Sequence, residues 1–313
     1  MAALPCARGQ STLYTASYDF NTVGNYTSAG GTNNASFITS NVDGPVGLAY
    51  SSFNNRLYVA NENGGYIGEF RTNGTVVNST LINVGAPQSG VGALFFFVVD
   101  PSTGNLFVPN HLTGNIAEYT ASGTLVNSRF ITGVTAVIGI AISPTNGNIY
   151  VTTTGGKVGE YTTAGVTVNA SLVTGLTDPA NLAIQASTGN LFITENSNGA
   201  NGAGFVGEYS ATGSVVNANL ITGLDEPYDI AFDPNNGYLD IAEYSGGKIS
   251  QYTPAGVLVN GSLFSIGGVD GLAFAPVPEP ADFALLFGAG LLGLIGLRRR
   301  RAGPVAPTID LRT

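Results

Sequence analysis

The stretch Tyr228-Asp229-Ile230-Ala231-Phe232-Asp233-Pro234, Asn235-Asn236-Gly237, Tyr238-Leu239-Asp240-Ile241-Ala242 is two apolar runs joined by a tight turn. Ser245-Gly246-Gly247 turns the chain into Lys248-Ile249-Ser250-Gln251-Tyr252, and Pro254-Ala255-Gly256 turns it into a last run, Val257 to Phe264. Four short runs of β-formers bounded by Pro, Asn and Gly are antiparallel strands linked by hairpins. No stretch between residues 13 and 276 keeps a helical period long enough to compete.

Outward from this unit, one phrase recurs. It stands as Val23-Gly24-Asn25-Tyr26, Ile67-Gly68-Glu69-Phe70, Ile116-Ala117-Glu118-Tyr119, Val158-Gly159-Glu160-Tyr161, Val206-Gly207-Glu208-Tyr209 and Ile249-Ser250-Gln251-Tyr252. Its third residues are separated by 44, 49, 42, 48 and 43 positions. A period in the forties with four strands per unit is a propeller blade rather than a solenoid coil. The final unit stops after Gly271 to Pro276, and the N-terminus offers Leu13 to Tyr18, Val23 to Tyr26 and Ala35 to Ile38. One blade is therefore predicted to take strands from both ends, which removes the free sheet edges of an open array. The predicted fold is all-β: a six-bladed propeller over 13–276, preceded by a short segment, 1–12.

Gly139-Ile140-Ala141-Ile142-Ser143-Pro144-Thr145-Asn146-Gly147-Asn148-Ile149-Tyr150-Val151 shows a strand, an Asn-Gly turn and a second strand. This pattern resembles NHL-type propeller repeats across residues 13–276. The resemblance implies the fold and says little of activity, because the same ring hosts binding modules and enzymes.

The tail is of another kind. Pro278-Glu279-Pro280 precedes an apolar run, Ala281 to Leu297, interrupted only by Asp282, and then Arg298, Arg299, Arg300 and Arg301. As a helix, 281–297 is about 26 Å long, enough to cross a bilayer core. The arginines are expected on the cytoplasmic side, leaving the propeller outside. Tripeptide, span and basic cluster in this order resemble the PEP-CTERM sorting signal of Gram-negative bacteria, here over 277–301. That resemblance implies an exosortase partner, transient residence in the inner membrane, cleavage near Pro278–Pro280, and a final place at the envelope surface or outside the cell. The further segment 302–313 departs from the pattern.

Between Leu13 and Pro276 five basic residues face seventeen acidic ones, a net charge of −12. Such a body argues against nucleic acid, whose phosphates call for Lys and Arg. The single cysteine, Cys6, allows no intrachain disulfide. Residues 1–11 lack the apolar core of a secretory signal, and a start further upstream is expected. His111 is the only histidine, and there is no Gly-x-Ser-x-Gly elbow. A His-based triad and a His/Cys zinc site both lack their parts, and His111 reads as a loop residue.

The recurring Glu69, Glu118, Glu160 and Glu208 are expected to serve the blades, by pairing with neighbouring backbone or hydroxyl groups. Positions that break the repeat are more telling. Gly47, Phe96, Gly139, Asn181, Asp229 and Gly271 align at the start of the inner strand. Ser17, Asn61, Asn110, Thr153, Glu195 and Glu243 align at the end of the second strand. Antiparallel pairing places both sets at one mouth of the ring, where Asn181, Glu195, Asp229 and Glu243 are candidate oxygen ligands for Ca²⁺. Lactonase-type propellers carry a metal at such a position; the alternative is an acidic, solvated rim. The enlarged loop Asn196 to Gly204 reads as an insertion rather than a lid. The Asn-x-Ser/Thr triplets at Asn78, Asn169 and Asn260 repeat with the blades and read as turns.

Two functions follow. The first is a non-enzymatic surface or extracellular-matrix protein whose propeller binds a protein or polysaccharide partner. The second is a metal-dependent, lactonase-like hydrolase or lyase at the channel mouth.

Overall fold

The computed structural model describes residues 11–85, 94–134, 136–196 and 203–276. The predicted sorting residues Pro278, Glu279, Pro280 and Arg298 to Arg301, the membrane helix 281–297, the tail 302–313 and Cys6 lie outside the described residues. So does most of the loop after Asn196. Among the described residues every regular element is a strand, and no helix is long and apolar enough to cross a membrane.

Among the described residues twenty-four strands form six four-stranded antiparallel sheets. Blade 1 holds Thr12–Ser17, Thr22–Thr27 and Thr32–Ile38, with Val269–Ala275 as its inner strand. Blade 2 runs from Pro45–Ser51 through Arg56–Asn61 and Tyr66–Arg71 to Val76–Asn83. Blade 3 runs from Val98–Val99 to Leu125–Thr132, blade 4 from Val137–Ile142 to Thr167–Thr174, blade 5 from Pro179–Ile184 to Val215–Leu224, and blade 6 from Pro227–Phe232 to Leu258–Ser265. Inner strands touch in chain order, and Val269–Ala275 packs on Pro45–Ser51 to close the ring. The predicted shared blade is present: Leu13 pairs with Phe274 and Thr15 with Leu272. Blade 3 departs from its siblings, with an inner strand of only two residues. Phe96 stands where Gly47 stands in blade 2, and its ring is buried.

The core is six cores. Each apolar cluster lies between two consecutive blades and draws on both. Leu57 and Val59 pack with Tyr14 and Val23 of blade 1, whereas Tyr58 and Ala60, on the opposite face of the same strand, pack with Leu106 and Val108 of blade 3. Ile149 and Val151 face blade 3, and Tyr150 faces blade 5. A second strand serves two seams, and this is why it is apolar on both faces instead of alternating.

The repeated glutamates are spent within their blades, but on partners other than those expected. Asn105, Asn148 and Asn190 each donate a carboxamide N–H to Glu118, Glu160 and Glu208 at 2.7 Å. Glu69 pairs instead with Arg56 at 3.3 Å. A carboxylate is a stronger acceptor than a hydroxyl, and the turn asparagine one strand away presents two donors. Of the anticipated hydroxyl partners, Tyr150 does bond Glu160, at 2.9 Å. Asn78, Asn169 and Asn260 cap the amides two residues on, at 3.0–3.1 Å, as turn chemistry requires.

Inner strands approach so closely that some positions admit no side chain. A Cβ on Gly139 would lie 2.5 Å from the Ala180 carbonyl oxygen, and one on Gly271 would run into that of Val46. Gly271→Ala is expected to destabilise the ring by about 2 kcal/mol. Gly237→Ala, at φ +75° with nothing within 4 Å, is expected to cost about 1 kcal/mol from backbone strain alone. Urea unfolding of the two variants beside the parent checks the order.

Candidate functional site

Four inner strands begin with a bulge, between Pro45 and Leu48, Val137 and Ile140, Pro179 and Leu182, and Pro227 and Ile230. Proline suits the first residue of a strand, where no ladder donor is needed. The bulge turns residues two and three of the strand toward the channel and leaves their amides short of partners. Threonine supplies them in two blades. The Gly139 N–H donates to Thr152 Oγ1 at 2.8 Å, and the Asn181 N–H donates to Thr194 Oγ1 at 3.0 Å. Both hydroxyls also reach carbonyls of the next blade, Ala180 and Tyr228.

Asn181 and Asp229 meet inside the channel, with Asn181 Nδ2 donating to Asp229 Oδ1 at 2.7 Å. The Ile140 N–H donates to Asn181 Oδ1 at 3.2 Å, and the Leu272 N–H donates to Asp229 Oδ2 at 2.7 Å. The Ile230 N–H adds a third donor to Asp229, at 2.8 Å. A buried polar ladder thus joins blades 4, 5, 6 and 1. Burial still outweighs these donors and pushes the Asp229 carboxyl up to about 6.

Glu195 and Glu243 end their strands at the expected mouth, opposite Pro179 and Pro227. Their carboxylates turn back to their own blades. Glu195 Oε2 accepts the Thr177 and Asp178 amides, both at 2.9 Å. Glu243 Oε2 accepts the Asp225 amide at 2.9 Å and lies 3.6 Å from Lys248 Nζ. Asn61 does the same for Asp43 in blade 2, at 2.8 Å. In these three blades the position caps the loop that leads into the inner strand, whereas Asn110 of blade 3 accepts the Leu112 and Thr113 amides of its own turn.

Ca²⁺ takes about six to eight oxygens at about 2.3–2.6 Å. Asn181 and Asp229 direct their oxygens at amide hydrogens, and no hydrogen bond joins Glu195 or Glu243 to that pair. Among the described residues no group of three or more His, Cys, Asp or Glu is placed to hold a metal ion.

Two cavities lined by described residues lie in the channel and share Phe96. The wider, about 670 Å³, opens where inner strands end. Its walls are apolar, with Leu48, Val98, Ile142 and Phe274 among them; Asp229 and Asn181 reach it, and Tyr50, Asp100 and Ser143 stand toward its opening. The narrower, about 180 Å³, opens at the opposite mouth, lined by Tyr18, Val46, Glu62, Phe95, Tyr228, Tyr244 and Asp270. His111 is a turn residue beside it. Its Nδ1 bonds the Val137 carbonyl at 3.0 Å, and its ring meets Phe95 edge-on at 5.3 Å.

The sequence reading passed over these narrow-mouth residues. They flank the aligned columns by one position: Tyr18, Glu62 and Tyr244 follow the end of the second strand, and Val46, Phe95, Tyr228 and Asp270 precede the third inner-strand residue. Their signal was bulky and acidic residues at those neighbouring positions in blades 1, 2, 3 and 6.

No family model and no curated protein matches this chain. Solved structures match it by fold. A chain of a nidogen/laminin complex is 13% identical, with a TM-score of 0.62, over 85% of this chain and 98% of that one. A gluconolactonase from Xanthomonas campestris is 13% identical, with a TM-score of 0.59, over 86% and 90%. A streptogramin B lyase is 18% identical, with a TM-score of 0.53, over 86% and 74%. At such identities the likeness shows the propeller fold alone.

Three aspartates hold their protons to higher pH than they would in the unfolded chain. Burial raises Asp229 to about 6, Asp240 to about 7 and Asp270 to about 8, from 3.8. A raised acid stabilises the fold fully below its unfolded pKa, and that contribution is lost as pH rises through the folded value. Melting temperature is therefore expected to fall by roughly 5 °C or more between about pH 5 and about pH 9. Asp240→Asn, which removes one of the three titrations, should flatten that slope in calorimetric scans.

Proposed function

We propose that this chain is an exported bacterial surface or extracellular-matrix protein whose propeller is a binding scaffold. Export rests on the order of Pro278-Glu279-Pro280, the apolar run 281–297 and Arg298 to Arg301. An exosortase would cut near the tripeptide while 281–297 sits in the inner membrane. The mature propeller would then reside at the envelope surface or outside the cell.

Binding rests on one observation: Asn181 and Asp229, which reach the wide cavity, are held by hydrogen bonds between blades, while that cavity of about 670 Å³ keeps apolar walls. That volume suits a drug-sized group or one apolar element of a larger partner, held by burial. A hydrophobic dye such as Nile red is expected to bind the intact chain saturably, and Ile142→Asp to weaken it at least about tenfold, since a charge on the wall resists desolvation. An unchanged titration in Ile142→Asp would remove the cavity from this reading.

Sorting has its own test. Fractionation with mass spectrometry of the mature C-terminus is expected to find a surface or secreted product ending near Pro278–Pro280. A cytosolic product still carrying Arg298 to Arg301 would refute export.

The second reading is a metal-dependent hydrolase or lyase in the same channel. The gluconolactonase and the lyase share the fold, and Glu195 Oε1 and Glu243 Oε1 are buried without a hydrogen-bond partner. Calorimetry with Ca²⁺ separates the readings. A binding scaffold should give no saturable heat, whereas stoichiometric Ca²⁺ uptake that Glu195→Gln abolishes would favour the enzyme.

A further inference from the structure

The narrow mouth places a buried acid among aromatic rings. Asp270 is only 5% exposed. Its Oδ2 accepts the Tyr18 amide at 3.2 Å, and the side chain lines the cavity. Tyr228 and Tyr244 stand beside it with ring centroids 5.6 Å apart and planes inclined by 56°. Tyr18 and Phe95 add two further rings. The phenol groups of Tyr18 and Tyr244 are tied to the rim: Tyr18 Oη donates to Asn63 Oδ1 at 2.8 Å, and Tyr244 Oη donates to Asp19 Oδ1 at 3.1 Å. Their hydroxyls are thereby spent outward, while the rings help to wall the cavity.

The charge around this cavity has one sign. Burial, and after it the like charges of Glu62, Asp19 and Asp229, raise the Asp270 carboxyl to about 8. Asp270, Glu226, Asp178 and Glu62 act on Tyr228, and no Lys or Arg contributes to either group. A cation entering here relieves that repulsion and ionises Asp270. Aromatic walls decide which cation. They supply few oxygens for a hard metal ion, but their negative faces attract a weakly hydrated organic ammonium within about 6 Å of a ring centroid.

The geometry points to a binding site for an alkylammonium group, seated against Asp270 and boxed by Tyr18, Tyr228, Tyr244 and Phe95. This site is separate from the wide cavity, and either stands if the other fails. The shared chemistry is a methylated or alkylated amine head group, carried by a free amine or by a lipid.

Calorimetric titration of the intact chain with tetramethylammonium chloride and choline chloride tests this, with sodium chloride as the reference at equal ionic strength. Saturable binding of both is expected in the parent. Asp270→Asn should weaken it at least about tenfold, by loss of the counter-charge. Tyr244→Phe, which keeps the ring, should stay within about twofold, and Tyr244→Leu should lose about threefold or more. Binding should also tighten from about pH 6 to about pH 9 in the parent and not in Asp270→Asn, since the ligand prefers the ionised acid. Cosedimentation with phosphatidylcholine vesicles then separates the sources. Capture by vesicles assigns the site to a lipid head group, and choline binding without capture assigns it to a soluble amine. No saturable binding of either cation by the parent, or equal binding by Asp270→Asn, overturns the proposal. Should Asp270→Asn not fold, the contrast between Tyr244→Phe and Tyr244→Leu decides it, and equal binding by those two overturns the proposal as well.

Discussion

The seam between neighbouring blades is the contact on which everything else in this protein rests. A lone four-stranded blade has two apolar faces and no core of its own. Tyr58 is buried only because blade 3 lies against it, and Leu57, the residue before it, only because blade 1 does. The same holds around the ring, so the last seam must be made by the first residues of the chain. Leu13, Tyr26, Val269 and Leu272 make it against Ala242, Ile249 and Phe264. Ring closure is thus a condition for burying any blade fully, and it explains why strands far apart in sequence pair without a slip over Thr12 to Ala16.

Close packing of the blades sets the chemistry of the channel. Inner strands that approach within contact of a bare backbone require Gly47, Gly139 and Gly271. Where the third residue carries a polar side chain, its groups meet the neighbouring blade's amides, as Asn181 and Asp229 do. Low dielectric makes such groups costly unless bonded, and they are bonded. The outcome is a channel with two unlike ends. One end is broad and apolar; the other is narrow, aromatic and acidic.

Acidity at the narrow end belongs to residues from separate blades. Asp19 follows a strand of blade 1, Glu62 follows one of blade 2, Asp270 lies on the closing strand and Asp229 on the inner strand of blade 6. Asp19 and Glu62 stand in turns, whereas Asp229 and Asp270 are buried on strands. Brought around one opening they raise the cost of ionising Asp270, because burial and like charges act in the same direction. The gluconolactonase, the lyase and the laminin-complex chain share the ring with this protein, which leaves function to be argued from such local constellations.

Spacing alone carried the architecture. Six copies of one phrase, Asn-Gly and Pro-Ala-Gly turns, and a final unit that lacks what the N-terminus offers made the blade count and the closure legible. The end of the second strand was legible as a column too, from Ser17 to Glu243. What those columns do was not legible, because it depends on where side chains point. Asn181, Asp229, Glu195 and Glu243 share a mouth, but a bulge turns the first two into the channel while loop amides claim the other two. Tyr18, Tyr228, Tyr244 and Asp270 lie up to 252 positions apart, and no periodicity marks them as neighbours. A repeat determines which strands pair, since pairing follows local pattern; only the closed ring decides which side chains share a cavity, since that follows from packing across blades.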